Sequence, residues 1–166
     1  NRVDLAIFLN GLPVVMLELK KQTAGQSAVG NGIIQFQQDR STEEKVFGFN
    51  KRTLVYLTLD EFEAFVATDM KTFLPFNRGT EAGAGNPAVN GKHSTCYIWE
   101  EILDKPILLR ILREFMFLDN EGKMIFPRYH QLRAVRKVEE DIAANGFGGR
   151  YLIWHSAGSG KTKTLT

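Results

Sequence analysis

The stretch NRVDLAIFLNGLPVVMLELK, residues 1–20, limits the possible folds more than any other part of the chain. Two apolar runs, residues 3–9 (VDLAIFL) and 14–20 (VVMLELK), flank Asn10-Gly11. Asn and Gly both tolerate positive φ, so this pair suits the tight turn whose twist matches two antiparallel strands. Pro13 opens the second run. The spacing predicts a hairpin of buried strands.

The next segments extend that hairpin into a sheet. Residues 21–32 are polar and glycine-bearing, and read as a loop that is mobile or touches a ligand. Residues 33–40 (IIQFQQDR) predict a helix, part of a longer one starting near Ser27. Residues 54–59 (LVYLTL) and 64–68 (AFVAT) predict two further strands around an Asp60-Glu61 turn, while 47–50 is too short to place. One mixed sheet with a flanking helix accounts for about the first seventy residues.

Residues 72–95 lack periodicity, and a loop of that length is functional or a linker. Helical spacing returns at 97–103 and 106–117, with Ile107, Leu108, Ile111, Leu112 and Phe115 on one stripe. Residues 119–123 turn the chain. Residues 129–145 form a further amphipathic segment, with Leu132, Val135, Val138 and Ile142 on its inner face. Residues 151–154 read as a buried strand leading into a glycine loop. The expected organisation is a sheet core at 1–71, a connector at 72–124 and the opening of another domain at 125–166.

Composition narrows the class further. No apolar run approaches the roughly 20 residues of a membrane helix. The single cysteine, Cys96, rules out an internal disulfide framework or a multi-cysteine zinc site, and fits a reducing, cytoplasmic setting. A net charge of +2 is too small to imply a nucleic-acid partner by itself. The chain begins Asn1-Arg2 without Met, so preceding residues are expected to be missing.

Three polar residues interrupt the hairpin. Alternation puts Glu18 and Lys20 on one face, and Asp4 falls opposite Glu18 or one residue off it. Two carboxylates that close repel unless a cation lies between them. Oxygen ligands on a sheet suit Mg²⁺, which takes carboxylates, waters and phosphate oxygens; the Leu19 carbonyl could add a ligand. Lys20 is then placed to orient or deprotonate a water, or to stabilise a charged transition state. The implied chemistry is metal-assisted phosphodiester hydrolysis. The ordinary alternative is a solvated strand edge, against which stands the cost of Asp4 inside an apolar strand without a partner.

At the other end, the predicted strand runs into His155-Ser156-Ala157-Gly158-Ser159-Gly160-Lys161-Thr162. Strand, glycine loop and Lys-Thr form a phosphate cradle. Gly158, Ser159 and Gly160 would bring backbone N–H groups to the phosphates of ATP, Lys161 would reach the β- and γ-phosphates, and Thr162 would hold Mg²⁺. His155 stands where the usual pattern has Gly or Ala.

Asp4 with Glu18-Leu19-Lys20 resembles the Asp…Glu-x-Lys signature of PD-(D/E)xK nucleases. The whole of residues 1–20 is similar to the nuclease segment of type I restriction R subunits. That resemblance implies that Gln35, on the following helix, assists the site; one turn later Asp39 stands where related nucleases often carry Tyr. Pro127-Arg128-Tyr129-His130-Gln131 resembles the adenine-reading segment of superfamily 2 helicases, which implies that Gln131 contacts the base, although a Gln there is ordinarily a helix cap.

The resemblance covers essentially the whole chain. It implies an α/β fold: a mixed-sheet PD-(D/E)xK nuclease-like core, a helical connector and the start of a RecA-like P-loop motor. It further implies Mg²⁺-dependent cleavage of double-stranded DNA coupled to ATP-driven translocation, with modification and specificity subunits as partners. The segment ends too soon after Lys161-Thr162 to hydrolyse ATP alone. Two other readings remain open: a helicase-associated DNA-binding module with an inactive nuclease core, and an unrelated P-loop ATPase. Arg78 and residues 83–87 carry no chemistry that the sequence reveals. His93 and His130 are expected at the surface or hydrogen-bonded, and Cys96, Trp99 and Trp154 in the core.

Overall fold

The computed structural model describes residues 2–41, 43–47, 53–81 and 83–155. The chain divides into two compact units, Asn1–Phe126 and Pro127–Thr166. The first unit holds a five-stranded mixed sheet in the order β1 (Leu5–Leu9), β2 (Leu12–Leu19), β3 (Val55–Leu59), β4 (Ala64–Ala67), β5 (Leu74–Pro75). β2 and β3 run parallel and every other pair is antiparallel. All five residues of β3 are buried, as a central strand covered on both faces requires.

The predicted hairpin is present, but its first strand is not buried as expected: β1 is the edge of the sheet, and Leu5, Phe8 and Leu9 are exposed. Asn10 and Gly11 turn it with φ of 49° and 79°. One irregularity matters for function. Leu9 and Phe8 pair with Leu12 and Pro13, but Ile7, Ala6 and Leu5 pair with Val15, Met16 and Leu17, so Val14 is an extra residue in β2. Such a bulge sits naturally beside Pro13, which cannot donate to a ladder. It advances the register by one residue toward the open end.

The flanking helix begins where Ser27 caps it, accepting a hydrogen bond from Gly30 N at 2.8 Å. It starts as π-helical turns, Ala28–Ile33, and continues as α1, Ile34–Gln38. Phe36 is fully buried and meets Tyr56 edge-on at 5.5 Å and Phe73 stacked at 5.7 Å. Met16, Phe47, Ala67 and Met70 complete that core. The helical run therefore covers the sheet face that carries Met16 and Tyr56. By alternation Glu18 and Lys20 lie on the same face.

Gly32 sets how closely this run approaches the sheet. A Cβ at Gly32 would lie 1.8 Å from Thr58 Oγ1 and 2.9 Å from Thr58 Cβ. No side chain larger than hydrogen fits there.

The long segment after β4 is tied down by asparagines. Asn86 Oδ1 accepts from Arg78 N at 2.7 Å, and its Nδ2 donates to Phe62 O at 2.7 Å and to Asn77 Oδ1 at 2.9 Å. Arg78 lies over the Tyr97 ring at 5.7 Å and 3.9 Å from Glu101. These contacts give Arg78 and residues 83–87 a structural part. π-Helical Ile98–Ile102, α2 (Lys105–Arg110) and π-helical Ile111–Phe115 follow, with Leu108 and Ile111 buried on the expected stripe. A small hairpin, β6 (Phe117–Leu118) with β7 (Met124–Ile125), stands where the sequence predicts only a turn. Cys96 is buried as expected, but Trp99 is 46% exposed rather than in the core.

In the second unit, α3 spans Tyr129–Asn145, as the periodicity predicts. The strand expected at 151–154 is not formed, and Leu152 and Trp154 are each 87% exposed. A strand exists only through ladder partners, and among the described residues none pairs with this segment. Gly158, Ser159, Gly160, Lys161 and Thr162 lie outside the described residues.

Candidate functional site

The bulge in β2 decides the geometry of the site. Continued one residue past the Leu5–Leu17 pair, its register sets Asp4 directly opposite Glu18. Without the extra residue Asp4 would face Leu17. The contact is made at the backbone: Leu19 N donates to Asp4 Oδ2 at 2.9 Å. Asp4 is exposed, whereas Glu18 is fully buried.

Lys20 lies 3.6 Å from Glu18 Oε2 and donates to Gln35 Oε1 at 2.5 Å. Gln35 comes from α1, and Gly32, one turn earlier, is what lets that helix reach Lys20. A Cβ on Gly32 would already touch Lys20 Cγ at 3.5 Å. The structure thus brings Asp4, Glu18, Lys20 and Gln35 together at one corner of the sheet. Asp39, one turn further, caps α1 through its own backbone N–H to Gln35 O.

A residue that carried no motif completes the cluster. Arg40 donates through NH2 to Glu18 Oε1 at 2.5 Å and to Arg2 O at 2.5 Å. Its side chain is only 5% exposed and lies 6.0 Å from the Phe47 ring centre. Two carboxylates and two cations therefore balance. Burial pushes the Glu18 pKa up, Arg40 and Lys20 oppose the rise, and Asp4 adds to it. Removing one partner of such a buried pair costs about 3–5 kcal/mol, because the other charge is left uncompensated.

Asp60 is the second unforeseen residue, since the sequence marks it only as a turn. Its Oδ2 accepts from Ala28 N at 2.9 Å, and Oδ1 accepts from Phe62 N at 2.8 Å and Glu63 N at 3.0 Å. Asp60 thereby ties the start of the helical run to the end of β3. Burial alone would raise its pKa, but the hydrogen bonds from Ala28, Phe62, Glu63 and Gln22 outweigh that and hold it below the usual aspartate range. A depressed folded pKa stabilises fully above the unfolded value, about 3.9, and loses that contribution as pH falls through the folded value. Asp60→Asn is therefore expected to cost about 1–2 kcal/mol at neutral pH. In urea unfolding from pH 7 to pH 3, the gap between the two proteins should be constant at first and close below about pH 4. A gap independent of pH would show that the charge of Asp60 is not what holds the helix.

In the second unit Gln131 Oε1 accepts from Arg128 N at 2.8 Å, satisfying the backbone donor at the start of α3. This is the ordinary part a Gln plays at a helix start. The His130 and His155 rings meet edge-on at 4.7 Å.

A mixed α/β sheet with two acidic residues, a lysine and a glutamine gathered on a hairpin and its covering helix is the class that fold and site define. Residues 1–82 match the family described as the type I restriction enzyme R protein N terminus. Three relatives extend that likeness over almost the whole chain. A Methanocaldococcus jannaschii protein assigned as the MjaVIIIP type I restriction endonuclease subunit is 27% identical over 96% of this chain. A second from the same organism, assigned as the MjaVIIP subunit, is 29% identical over 99%. The type I restriction enzyme HindI endonuclease subunit of Haemophilus influenzae is 24% identical over 98%. The match over residues 1–82 and these relatives support an R subunit of a type I restriction enzyme. It spans about a sixth of the length of these relatives, 16% of each.

Proposed function

We propose that the cluster of Asp4, Glu18, Lys20 and Gln35 is the DNA-cleaving site of a type I restriction enzyme, of the PD-(D/E)xK kind, acting with Mg²⁺ on double-stranded DNA. The observation that carries this reading is the convergence of those four side chains within the segment that matches the R-protein N terminus. The residues suit a divalent cation. Glu18 Oε2 is buried and has no hydrogen-bond partner among the described residues, although its other oxygen is held by Arg40. Asp4, exposed and opposite, supplies the second carboxylate.

Among the described residues no group of three or more His, Cys, Asp or Glu gathers at one point. The two carboxylates of Asp4 and Glu18 suit Mg²⁺, which is held by one or two carboxylates with waters and phosphate oxygens. When bound, the ion would lower the pKa of a water and offset charge on the phosphate. Lys20, fixed by Gln35, orients that water or stabilises the developing negative charge.

The glycine loop supports the remainder of the reading. Gly158, Ser159, Gly160, Lys161 and Thr162 would bind ATP and its Mg²⁺, with Gln131 toward the base, to drive translocation of DNA as part of a complex with modification and specificity subunits. These assignments rest on the sequence motif and on the likeness to type I restriction endonuclease subunits.

The charge balance supplied by Arg40 favours a second reading, a core that is complete without metal and only grips DNA. Asp4→Ala and Glu18→Ala in the intact enzyme separate the two. Each is expected to abolish cleavage and to weaken Mn²⁺ binding at one shared site in a calorimetric titration. Unchanged metal binding in both variants would leave the gripping module as the better account.

A further inference from the structure

Arg40 has no part in the cleavage chemistry as proposed above, yet it is the most deeply enclosed cation near the site. A buried guanidinium is costly unless its neighbours need it. Its NH2 group holds two things at once, Glu18 Oε1 and the Arg2 carbonyl, each at 2.5 Å. Arg2 lies two residues before Asp4. Arg40 therefore fixes both halves of the carboxylate pair: Glu18 through its side chain, and the segment entering β1 through its backbone. With one Glu18 oxygen taken, the carboxylate cannot rotate freely. The other oxygen, Oε2, is left without a hydrogen-bond donor among the described residues, on the side where Lys20 stands 3.6 Å away.

We propose that Arg40 is a positioning residue of the metal site, holding Glu18 by one oxygen so that the other is presented to a divalent cation shared with Asp4. The proposal rests on the cleavage-site reading above. Arg40 touches neither cation nor DNA; it acts by orienting a ligand. Removing an outer partner of a metal ligand typically lowers metal affinity about 10–100-fold. The effect belongs on the metal dependence of cleavage rather than on the rate at saturating metal.

The test uses the intact restriction complex, with Mn²⁺ binding titrated by calorimetry and cleavage followed against Mn²⁺ and Mg²⁺ concentration. Arg40→Met removes the charge while keeping much of the length of the apolar stem. It is expected to raise the half-saturating metal concentration about 10–100-fold, with most of the maximal rate recovered at high metal. Arg40→Lys keeps a cation with one terminal nitrogen, so it should shift the same curve in the same direction by only a few-fold. It also serves if Arg40→Met fails to fold. Curves for the folded variants that superimpose on wild type overturn the proposal, as does a loss of maximal rate that no metal concentration recovers. Glu18→Gln tells the two levels apart. If Glu18→Gln cleaves normally, the cleavage-site reading itself fails. If it is inactive while both Arg40 variants keep the wild-type metal dependence, only the role of Arg40 is wrong.

Discussion

Lys20→Ala in the intact enzyme is expected to reduce DNA cleavage by about two to three orders of magnitude, the usual cost of deleting one group aimed at developing charge. ATP hydrolysis should stay near its normal rate. Lys20 Nζ is held from two sides, by Gln35 Oε1 at 2.5 Å and by Glu18 at 3.6 Å, so its position is set before any substrate arrives. Alanine leaves the backbone ladder intact, because Lys20 N still donates to Leu59 O. The loss should therefore appear in the catalytic rate of the folded protein, beside the stability cost of leaving Glu18 with one cation fewer. Lys20→Arg is a sharper probe: it keeps the charge but cannot be deprotonated in a protein. Retained cleavage in Lys20→Arg would assign Lys20 to charge stabilisation, and its loss would be consistent with a proton-transfer role. Equal losses of cleavage and ATP hydrolysis in Lys20→Ala would refute the separation of roles.

Gly32→Ala should have the largest effect on the fold around the site. In an open helix the change would stabilise by about 1 kcal/mol. Here the added Cβ would sit 1.8 Å from Thr58 Oγ1, inside a buried interface where neither the strand nor the helix can yield cheaply. Overpacking of this kind costs about 1–3 kcal/mol and more where backbone must move, so the clash outweighs the propensity gain. The helical run would lift from β3 and carry Gln35 away from Lys20, lowering cleavage as well as stability. The pair Gly32→Ala with Thr58→Ala removes the nearer contact, Thr58 Oγ1, but leaves Thr58 Cβ 2.9 Å away, so it relieves the clash in part. Gly32→Ala should therefore cost less in the Thr58→Ala background than in wild type, with a coupling of about 0.5–3 kcal/mol for residues in direct contact. Denaturant unfolding of the four proteins measures this. A Gly32→Ala protein as stable as wild type would mean that the close approach is not a constraint.

These two positions show how differently the site's parts were written into the chain. The hairpin, its Asn10-Gly11 turn, the parallel-plus-antiparallel sheet and the helix start at Ser27 all follow from local signals: alternation, turn chemistry and capping. So does the shared face of Glu18 and Lys20, because strand geometry fixes it. The helix α3 at Tyr129–Asn145 was equally legible, since its apolar stripe and its glycine stop are both local.

What the sequence left open were matters of register and of distant partners. Whether Asp4 faced Glu18 or its neighbour depended on one extra residue at Val14, which no periodicity announces. That bulge is settled by pairing on both sides of β2 at once. Arg40 reads as an ordinary polar residue at the end of a helix. Only the packing of α1 on the sheet shows that it is enclosed and paired with Glu18. Asp60 likewise reads as a turn residue until its carboxylate is seen to receive the N–H of Ala28, thirty-two residues away. The apolar run at 151–154 had the composition of a strand but no ladder among the described residues, and composition cannot supply one. Local chemistry thus determined the elements and half of the site, and tertiary structure decided the register that aligns the carboxylates and the buried cation that holds one of them.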